Sequence, residues 1–294
     1  MQSSASREHV VPGLSRNWEF QSSIVPRWER RQQMELFLRS AHRPPAWRKI
    51  KAIRPARKWV AYFMYAPDGA LSPAHRFTLS RLRELGICVL VVCASPDPAH
   101  LPPDLDGYCD ALYWKDLPGY DFSAYTLALQ QISRHSPGAD VLVLNDSVFG
   151  PFSDLKGLLD HPRWDLTGFT ASNQITNHIQ SYAFILRKVT RLRMARLAPV
   201  FFPFASISDP HAVIRLQETR LARVAARSMT VGALWFGDAG EVKDPTLVRP
   251  LELVDAGFPF LKRSLIGKHA AFIERDRVLA RLAQLGHPIE PGWE

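Results

Sequence analysis

Apolar runs and amphipathic segments alternate along the middle of the chain. Four runs, KWVAYFMYA, ICVLVVCAS, ALYW and VLVLN, begin at Lys58, Ile87, Ala111 and Val141. Short apolar runs bounded by turn-forming residues are typical of strands that are covered on both faces, as in a parallel sheet between helices. The pattern therefore predicts four buried strands, the last of which ends at Asn145.

The segments between these runs have helical spacing. Ser72 followed by Pro73 predicts a helix start, because serine caps free backbone amides and proline fits the first turn. The segment that follows Gly119 predicts another helix, with Asp121 or Ser123 as its N-cap. Strands that alternate with helices predict right-handed βαβ units and a mostly parallel sheet.

The remainder of the chain continues this alternation. It predicts three further strands, in WDLTGFTAS, HIQSYAFILRK and TVGALW, and helices in FSDLKGLLD, DPHAVIRLQETRLARVAARSM, PTLVRPLELVDAG and HAAFIERDRVLARLAQLG. We therefore expect an α/β fold: a single Rossmann-type domain over residues 58–294, with a mostly parallel central sheet flanked by helices. Residues 1–57 are expected to form a separate basic extension and linker, because Pro-rich and charged sequence precedes Lys58.

The fourth run raises a question of function because it ends abruptly in Asn145, Asp146 and Ser147, after which Gly150 and Pro151 turn the chain away. In open α/β sheets, ligands gather beyond the carboxyl ends of the strands. Asp146 is therefore predicted to lie at a ligand site. The alternative is that Asp146 only forms a turn.

Several motifs together resemble one family. YAPDG, GYDFSAY, VLVLNDSVFGPF, DLTGFT, HIQSYAFIL and PTLVRPLELVDAGFPFLKRSLI occur in an order and spacing that resemble the rhamnan synthesis protein F family, over about residues 58–266. The resemblance implies a GT-A-like glycosyltransferase of bacterial surface polysaccharide assembly, which uses a nucleotide-activated sugar and a glycan or lipid-linked glycan acceptor.

The resemblance also implies roles for particular residues. In GT-A enzymes an acidic DxD motif holds a divalent cation against the donor diphosphate, and the cation stabilises the charge on the leaving group. This chain has a single carboxylate at that point, Asp146, which is the predicted ligand of Mg²⁺ or Mn²⁺. Basic side chains are expected to replace part of the cation's role. The residues implied to bind the donor are Asp68, Gly69, Asp121, Asn145, Asp146, Ser147, His178, Gln180, Lys262 and Arg263.

An inverting transferase needs a base that deprotonates the acceptor hydroxyl. Glu218 matches an acidic residue of the family on the helix after HIQSYAFIL, and Asp209, just before that helix, is the competing candidate. For Glu218 the alternative is a solvated helix face, since Arg220 and Arg223 follow it on the same amphipathic helix.

All of the net charge lies near the N-terminus. Residues 1–58 contain 13 Lys and Arg against 4 Glu, whereas the rest of the chain is neutral, with 24 of each sign. Tryptophans and phenylalanines among these cations suit an anionic membrane surface. A solvated basic tail is the alternative, and nucleic acid is not expected because no recognition motif accompanies the segment.

The predicted location is the cytoplasm, peripheral to the inner face of the cytoplasmic membrane. No apolar run approaches the roughly 20 residues that span a bilayer, and the N-terminus lacks a secretory signal. Cys88, Cys93 and Cys109 are expected to be buried thiols. The function that the family resemblance implies is hexosyl or rhamnosyl transfer in polysaccharide or lipopolysaccharide synthesis. The alternatives are a catalytically silent glycan-binding or assembly partner and a nucleic-acid-binding protein.

Overall fold

A computed structural model of the chain describes residues 13–22, 26–173, 175–237, 244–290 and 292–293. Its strands are β1 Leu14–Glu19, β2 Ala41–His42, β3 Trp47–Lys51, β4 Lys58–Tyr65, β5 Cys88–Ala94, β6 Ala111–Lys115, β7 Ala139–Asn145, β8 Val148–Phe149, β9 Leu166–Ser172, β10 His178–Ile179, β11 Ala183–Val189, β12 Ser206–Ile207, β13 Val231–Gly237 and β14 Leu261–Lys262. Its α-helices are α1 Arg27–Ser40, α2 Pro73–Glu84, α3 Tyr120–His135, α4 Lys156–Asp160, α5 Arg191–Leu197, α6 Pro210–Val213, α7 Thr219–Ala225, α8 Pro245–Val248, α9 Pro250–Asp255 and α10 Arg275–Gln284.

The strands build one large sheet, in the order β1-β13-β9-β11-β7-β4-β5-β6-β3, with β10 paired to β9. Strands β7, β4, β5 and β6 are parallel to one another, and β13 is parallel to β9. Strand β11 runs antiparallel between β9 and β7. The α/β fold with a mostly parallel central sheet flanked by helices is thus confirmed.

The central strands are apolar throughout because both of their faces are covered. In β4, Trp59, Ala61 and Phe63 belong to one buried cluster, and Val60 and Tyr62 belong to the other. Successive side chains of a strand point to opposite faces, so a strand between two helical layers needs apolar residues at every position. Helix α3 covers the first face and α2 the second.

The segment predicted as a separate extension supplies both edge strands of the sheet. Strand β1 pairs with β13, and β3 pairs with β6, both antiparallel. The predicted division at residue 57 therefore does not coincide with a boundary of the folded domain. Residues 1–12 and 23–25 of that predicted extension lie outside the described residues.

Two predicted elements differ in detail. The strand predicted in HIQSYAFILRK is divided into β10 and β11. Both pair antiparallel with β9, but the register shifts between them, and β11 also pairs with β7. Helix α3 is capped by neither Asp121 nor Ser123. Gly119 is its N-cap residue, with φ of 92°, and the helix begins at Tyr120. This positive φ favours glycine. Because Gly119 is the N-cap residue, the Asp121 carboxylate is available for other contacts.

Candidate functional site

The carboxyl end of β7 is the centre of a polar site. Strands β4, β7 and β9 end at this edge of the sheet, and the antiparallel β11 begins there, opposite Leu144. The loop between β10 and β11 therefore reaches the same edge, and the Asn145 amide donates to the Tyr182 carbonyl at 3.0 Å. This topology gathers segments that are far apart in the sequence.

Asn145 joins the β7 turn to helix α3. Its Nδ2 donates to Asp121 Oδ2 at 3.0 Å, and its Oδ1 accepts from the Ser147 amide at 3.1 Å. Asp121 Oδ1 accepts from the Phe122 amide at 2.9 Å. The predicted residues Asp121, Asn145 and Ser147 are thus brought together in one hydrogen-bonded group.

Glu218 approaches the same edge from a helical segment. Residues Ile214–Glu218 form a π-helix between α6 and α7, and such turns are frequent at functional sites. Glu218 Oε2 accepts from Ser181 Oγ at 3.0 Å, and its Oε1 lies 3.9 Å from His178 Nε2. His178 Nδ1 contacts the Thr176 carbonyl oxygen at 2.7 Å and so donates to it, which leaves Nε2 directed at Glu218.

Asp121 and Glu218 influence each other electrostatically. The pKa of Asp121 is raised to about 7. Burial is the larger cause, and the charge of the nearby Glu218 is the second. Burial and the charges of Asp121 and Glu218 also raise the pKa of the Tyr125 hydroxyl well above its ordinary value. Tyr125 donates to the Ser181 carbonyl at 3.1 Å. A carboxyl group that titrates near neutrality, beside a second carboxylate, is an arrangement found at sites of proton transfer.

Asp146 is engaged with protein groups. Its Oδ2 accepts from the Tyr65 amide at 2.8 Å and lies 3.3 Å from Nε2 of the buried His75. Asp146 thereby links the ends of β4 and β7 to helix α2. Its Oδ1 has no partner within the described residues, and its side chain is 16% exposed.

Among the described residues there is no preformed cation site. Within the described residues, no group of three or more His, Cys, Asp and Glu side chains is arranged to hold a metal ion. Mg²⁺ is held by several oxygen ligands in near-octahedral geometry, and Asp146 offers one oxygen. The predicted divalent cation therefore has a single protein ligand here, and we derive no chemical step through it.

Gln180 and Lys262 meet at a third carboxylate, Asp244. Gln180 Nε2 donates to Asp244 Oδ2 at 2.9 Å, and Lys262 Nζ lies 3.1 Å from the same oxygen. Burial alone would raise the Asp244 pKa, but Lys262, Thr246 and Gln180 outweigh it and hold the pKa below its ordinary value. The charge of Lys262 is therefore neutralised within the protein.

Arg263 provides a cation at the exit of β7. Its backbone amide donates to the Ser147 carbonyl at 2.8 Å, and Nη1 lies 3.4 Å from the Asp146 carbonyl oxygen. The guanidinium lies 5.7 Å from the centre of the Phe149 ring. Across the described part of the chain, no carboxylate forms an ion pair with it. Of the two predicted basic residues, Arg263 is the one with charge available for an anionic ligand.

Three predicted residues have no contact with this cluster in the described structure. Asp68 is exposed and accepts from the Ala70 amide at 3.0 Å, and Gly69 has φ of 70° in the same turn, at the end of β4. Asp209 is an exposed N-cap whose Oδ1 accepts from the Ala212 amide at 2.7 Å. Asp209 is thus fully explained as a helix cap.

Sequence reasoning missed His75 and Asp244. His75 lies within a helix predicted from its apolar stripe, and no local signal marks it as the partner of a residue 71 positions later. Asp244 directly precedes a proline, which is a helix-capping signal, and its side chain does cap α8 through the Thr246 amide. Its second role depends on tertiary contacts.

No family model matches the chain. Virulence protein VirA of Vibrio anguillarum is 37% identical over 87 residues, which are 29% of this chain and 28% of that protein. The chain thus matches little more than a quarter of the length of this curated relative.

Solved structures that resemble parts of this chain, with TM-scores between 0.37 and 0.41, include a nucleotide-diphospho-sugar transferase and a nucleotidyl transferase. A putative nucleotide-diphospho-sugar transferase from Desulfovibrio desulfuricans G20 has a TM-score of 0.41 at 12% identity, over 80% of this chain and 100% of that one. A 4-diphosphocytidyl-2C-methyl-D-erythritol synthase from Anaerococcus prevotii has a TM-score of 0.39 at 14% identity, over 68% and 97%. TarS of S. aureus has a TM-score of 0.37 at 10% identity, over 79% and 75%. At these TM-scores the likenesses assign no activity to this chain.

Proposed function

We propose that this chain is a glycosyltransferase that moves a sugar from a nucleoside-diphosphate donor to a glycan acceptor. The observation that carries the proposal is the pair Asp121 and Glu218 at the carboxyl edge of the parallel strands, where one carboxyl group has a pKa of about 7. The position suits a nucleotide ligand, and the pair suits proton transfer from a hydroxyl group.

In the proposed reaction, Glu218 takes the proton of the acceptor hydroxyl. The acceptor oxygen bonds to the anomeric carbon of the donor sugar while the bond from that carbon to the diphosphate oxygen breaks. The electron pair of the broken bond leaves with the nucleoside diphosphate. This single displacement inverts the anomeric centre and needs no covalent intermediate.

Two neighbours support Glu218 in this role. The Ser181 hydroxyl fixes one carboxylate oxygen, so the other, Oε1, remains on the side of His178. Asp121, held by Asn145, lies in the same polar site, and the Glu218 charge contributes to the raised pKa of Asp121. Arg263 is proposed to stabilise the leaving diphosphate through charge-assisted hydrogen bonds.

We also propose a class of donor sugar and a cellular process. A rhamnose or related donor and a role in bacterial surface polysaccharide synthesis rest on the resemblance of motifs to the rhamnan synthesis protein F family. No helix within the described residues has the length and apolarity to cross a membrane. Peripheral contact of the N-terminal region with an anionic membrane is part of the proposal.

A second candidate is a sugar-binding protein that does not catalyse transfer. The observation in its favour is that Tyr65 and His75 already occupy one oxygen of Asp146, the acidic residue that resembles the cation ligand of GT-A enzymes. Both candidates predict donor binding, and transfer or hydrolysis of the donor separates them.

The test begins with a thermal-shift panel of nucleoside-diphosphate sugars, with and without Mg²⁺ or Mn²⁺, since a ligand that binds the folded state raises its melting temperature. The selected donor is then used to measure turnover. Glu218→Gln is expected to lower turnover by roughly 10²–10⁴-fold with little change in donor affinity.

Asp209→Asn is the matched control, because asparagine caps a helix as well as aspartate does. It is expected to keep parental turnover. Parental turnover in Glu218→Gln would reject the base assignment. Donor binding without any turnover in the parental protein would favour the second candidate.

A further inference from the structure

A cavity of about 450 Å³ lies between α1, α7 and the chain around Pro199–Phe202. Four arginines line it: Arg30 from α1, and Arg220, Arg223 and Arg227 from α7 and the residues after it. None of these residues takes part in the proposed transfer reaction. The cavity is therefore a second candidate site, on the helix that follows Glu218.

The arginines are poorly compensated. Within the described residues their one ion pair joins Arg223 Nη1 to Glu29 Oε1 at 3.7 Å, and Arg220 Nη1 donates to the Leu216 carbonyl at 3.2 Å. Burial lowers the pKa of Arg220, and its neighbours Arg223 and Arg227 lower it further. The same effects lower the pKa of Arg223 despite Glu29. Four guanidinium groups against one carboxylate leave an excess of three positive charges around the cavity.

Apolar side chains also line the cavity between these cations, among them Met34, Phe37 and Phe202. Phe37 of α1 packs edge-on against Phe202, with ring centres 5.1 Å apart. Met34, which lines the cavity, is 60% exposed. Leu38 follows Phe37 on α1 and is 72% exposed, and Phe204 lies two residues after Phe202 and is 89% exposed. Both segments that supply cavity residues thus also carry large apolar side chains exposed to solvent.

We propose that this cavity binds the phosphate headgroup of an anionic lipid, so that α1 and the loop around Phe204 dock on a membrane surface. A phosphate monoester carries about −1.5 to −2 charge and three acceptor oxygens, which suits several guanidinium forks. A free phosphate compound would use the same cations. The exposed Met34, Leu38 and Phe204 favour a lipid over a free phosphate compound, because a lipid surface covers apolar side chains and a free phosphate does not.

The experiment compares three probes on the full chain: inorganic pyrophosphate, phosphatidylcholine vesicles with phosphatidic acid, and the same vesicles with phosphatidylglycerol at equal charge. Pyrophosphate binding is followed by calorimetry, and vesicle binding by co-sedimentation. We expect preferential binding to phosphatidic acid vesicles, because its phosphomonoester fits the cavity, and weaker binding of pyrophosphate.

Arg223→Gln with Arg227→Gln removes two cavity charges and is expected to weaken vesicle binding about tenfold or more. Arg83→Gln with Arg277→Gln removes two exposed charges away from the cavity and the loop around Phe204, and is the control, expected to retain nearly parental binding. Arg30→Gln with Arg227→Gln changes only exposed residues, so it keeps the test available if substitution of Arg223 prevents folding.

Equal losses in the cavity and control variants would overturn the proposal in favour of general charge attraction. Binding of pyrophosphate without binding of either vesicle would overturn the assignment of a lipid. Absence of binding to every probe would overturn the site itself. No donor is present in these measurements, so their outcome does not depend on the transferase proposal.

Discussion

Asp121 is the side chain whose environment departs furthest from that of a surface carboxyl. It accepts hydrogen bonds from Asn145 and Phe122, but burial and the Glu218 charge dominate and raise its pKa to about 7. Sequence reasoning placed Asp121 at the site by resemblance, whereas its coupling to Glu218 depends on two segments almost 100 residues apart that meet only in the fold.

This pKa predicts a dependence of stability on pH. Between about pH 4 and pH 7 the folded protein retains the Asp121 proton that the unfolded chain has lost, so stability falls as pH rises through this range and then levels off. Asp121→Asn cannot ionise. Its free energy of unfolding should therefore fall less over that range than that of the parent, by up to about 4 kcal/mol.

Urea denaturation at pH 4.5, 6 and 8 measures this difference, with Asp209→Asn as the exposed control. The control should follow the parental curve. Parallel curves for parent and Asp121→Asn would show that Asp121 titrates as an ordinary carboxyl group.

Among the elements, the apolar strands were predictable and the edge strands were not. Strands β4, β5 and β7 are continuous apolar runs because helices cover both faces. Strand β3, with the sequence WRKIK, is mostly exposed. Because its residues are largely charged, the hydrophobic pattern did not predict that this segment is a strand paired with β6. An edge strand in contact with solvent has no need of the hydrophobic pattern that identifies a buried strand.

Strand β1 is expected to contribute to stability through Trp18. Its ring stacks on Phe236, with ring centres 4.7 Å apart and planes 3° apart, and also packs edge-on against Phe20. Trp18→Ala should lower the free energy of unfolding by about 2–3 kcal/mol, because it removes this packing and leaves β13 less covered.

Trp28→Ala is the matched control, since Trp28 is 63% exposed. Its effect should stay within about 0.5 kcal/mol. Equal stability of the parent and Trp18→Ala in thermal and urea denaturation would show that β1 is not an integral strand of the sheet.

Over the whole molecule, the excess positive charge and the candidate functional site lie in different regions. The cations that give residues 1–58 their excess of +9 lie in part on α1 and β3, so they are carried by the folded domain and not by a tail alone. The polar site at the carboxyl edge contains Asp121, Asp146 and Glu218, and Arg263 supplies a cation there.

The sequence predicted that Asp146 follows the end of a central strand, because turn residues mark the ends of strands. It did not predict that Asp244 neutralises Lys262, since that pairing depends on how α8 and β14 pack.

We expect the donor diphosphate to bind beside Arg263. Calorimetric titration of the selected nucleoside-diphosphate sugar into the protein measures this binding. The parent, Arg263→Gln and the surface control Arg83→Gln are each titrated with Mg²⁺ and with a chelator. Loss of a charge-assisted hydrogen bond costs about 1.5–3 kcal/mol, or roughly 10–100-fold in Kd. Arg263→Gln is expected to show this weakening of donor affinity under both conditions, and the control is expected to keep parental affinity. Parental affinity in Arg263→Gln, with or without the metal, would contradict binding of the diphosphate beside Arg263.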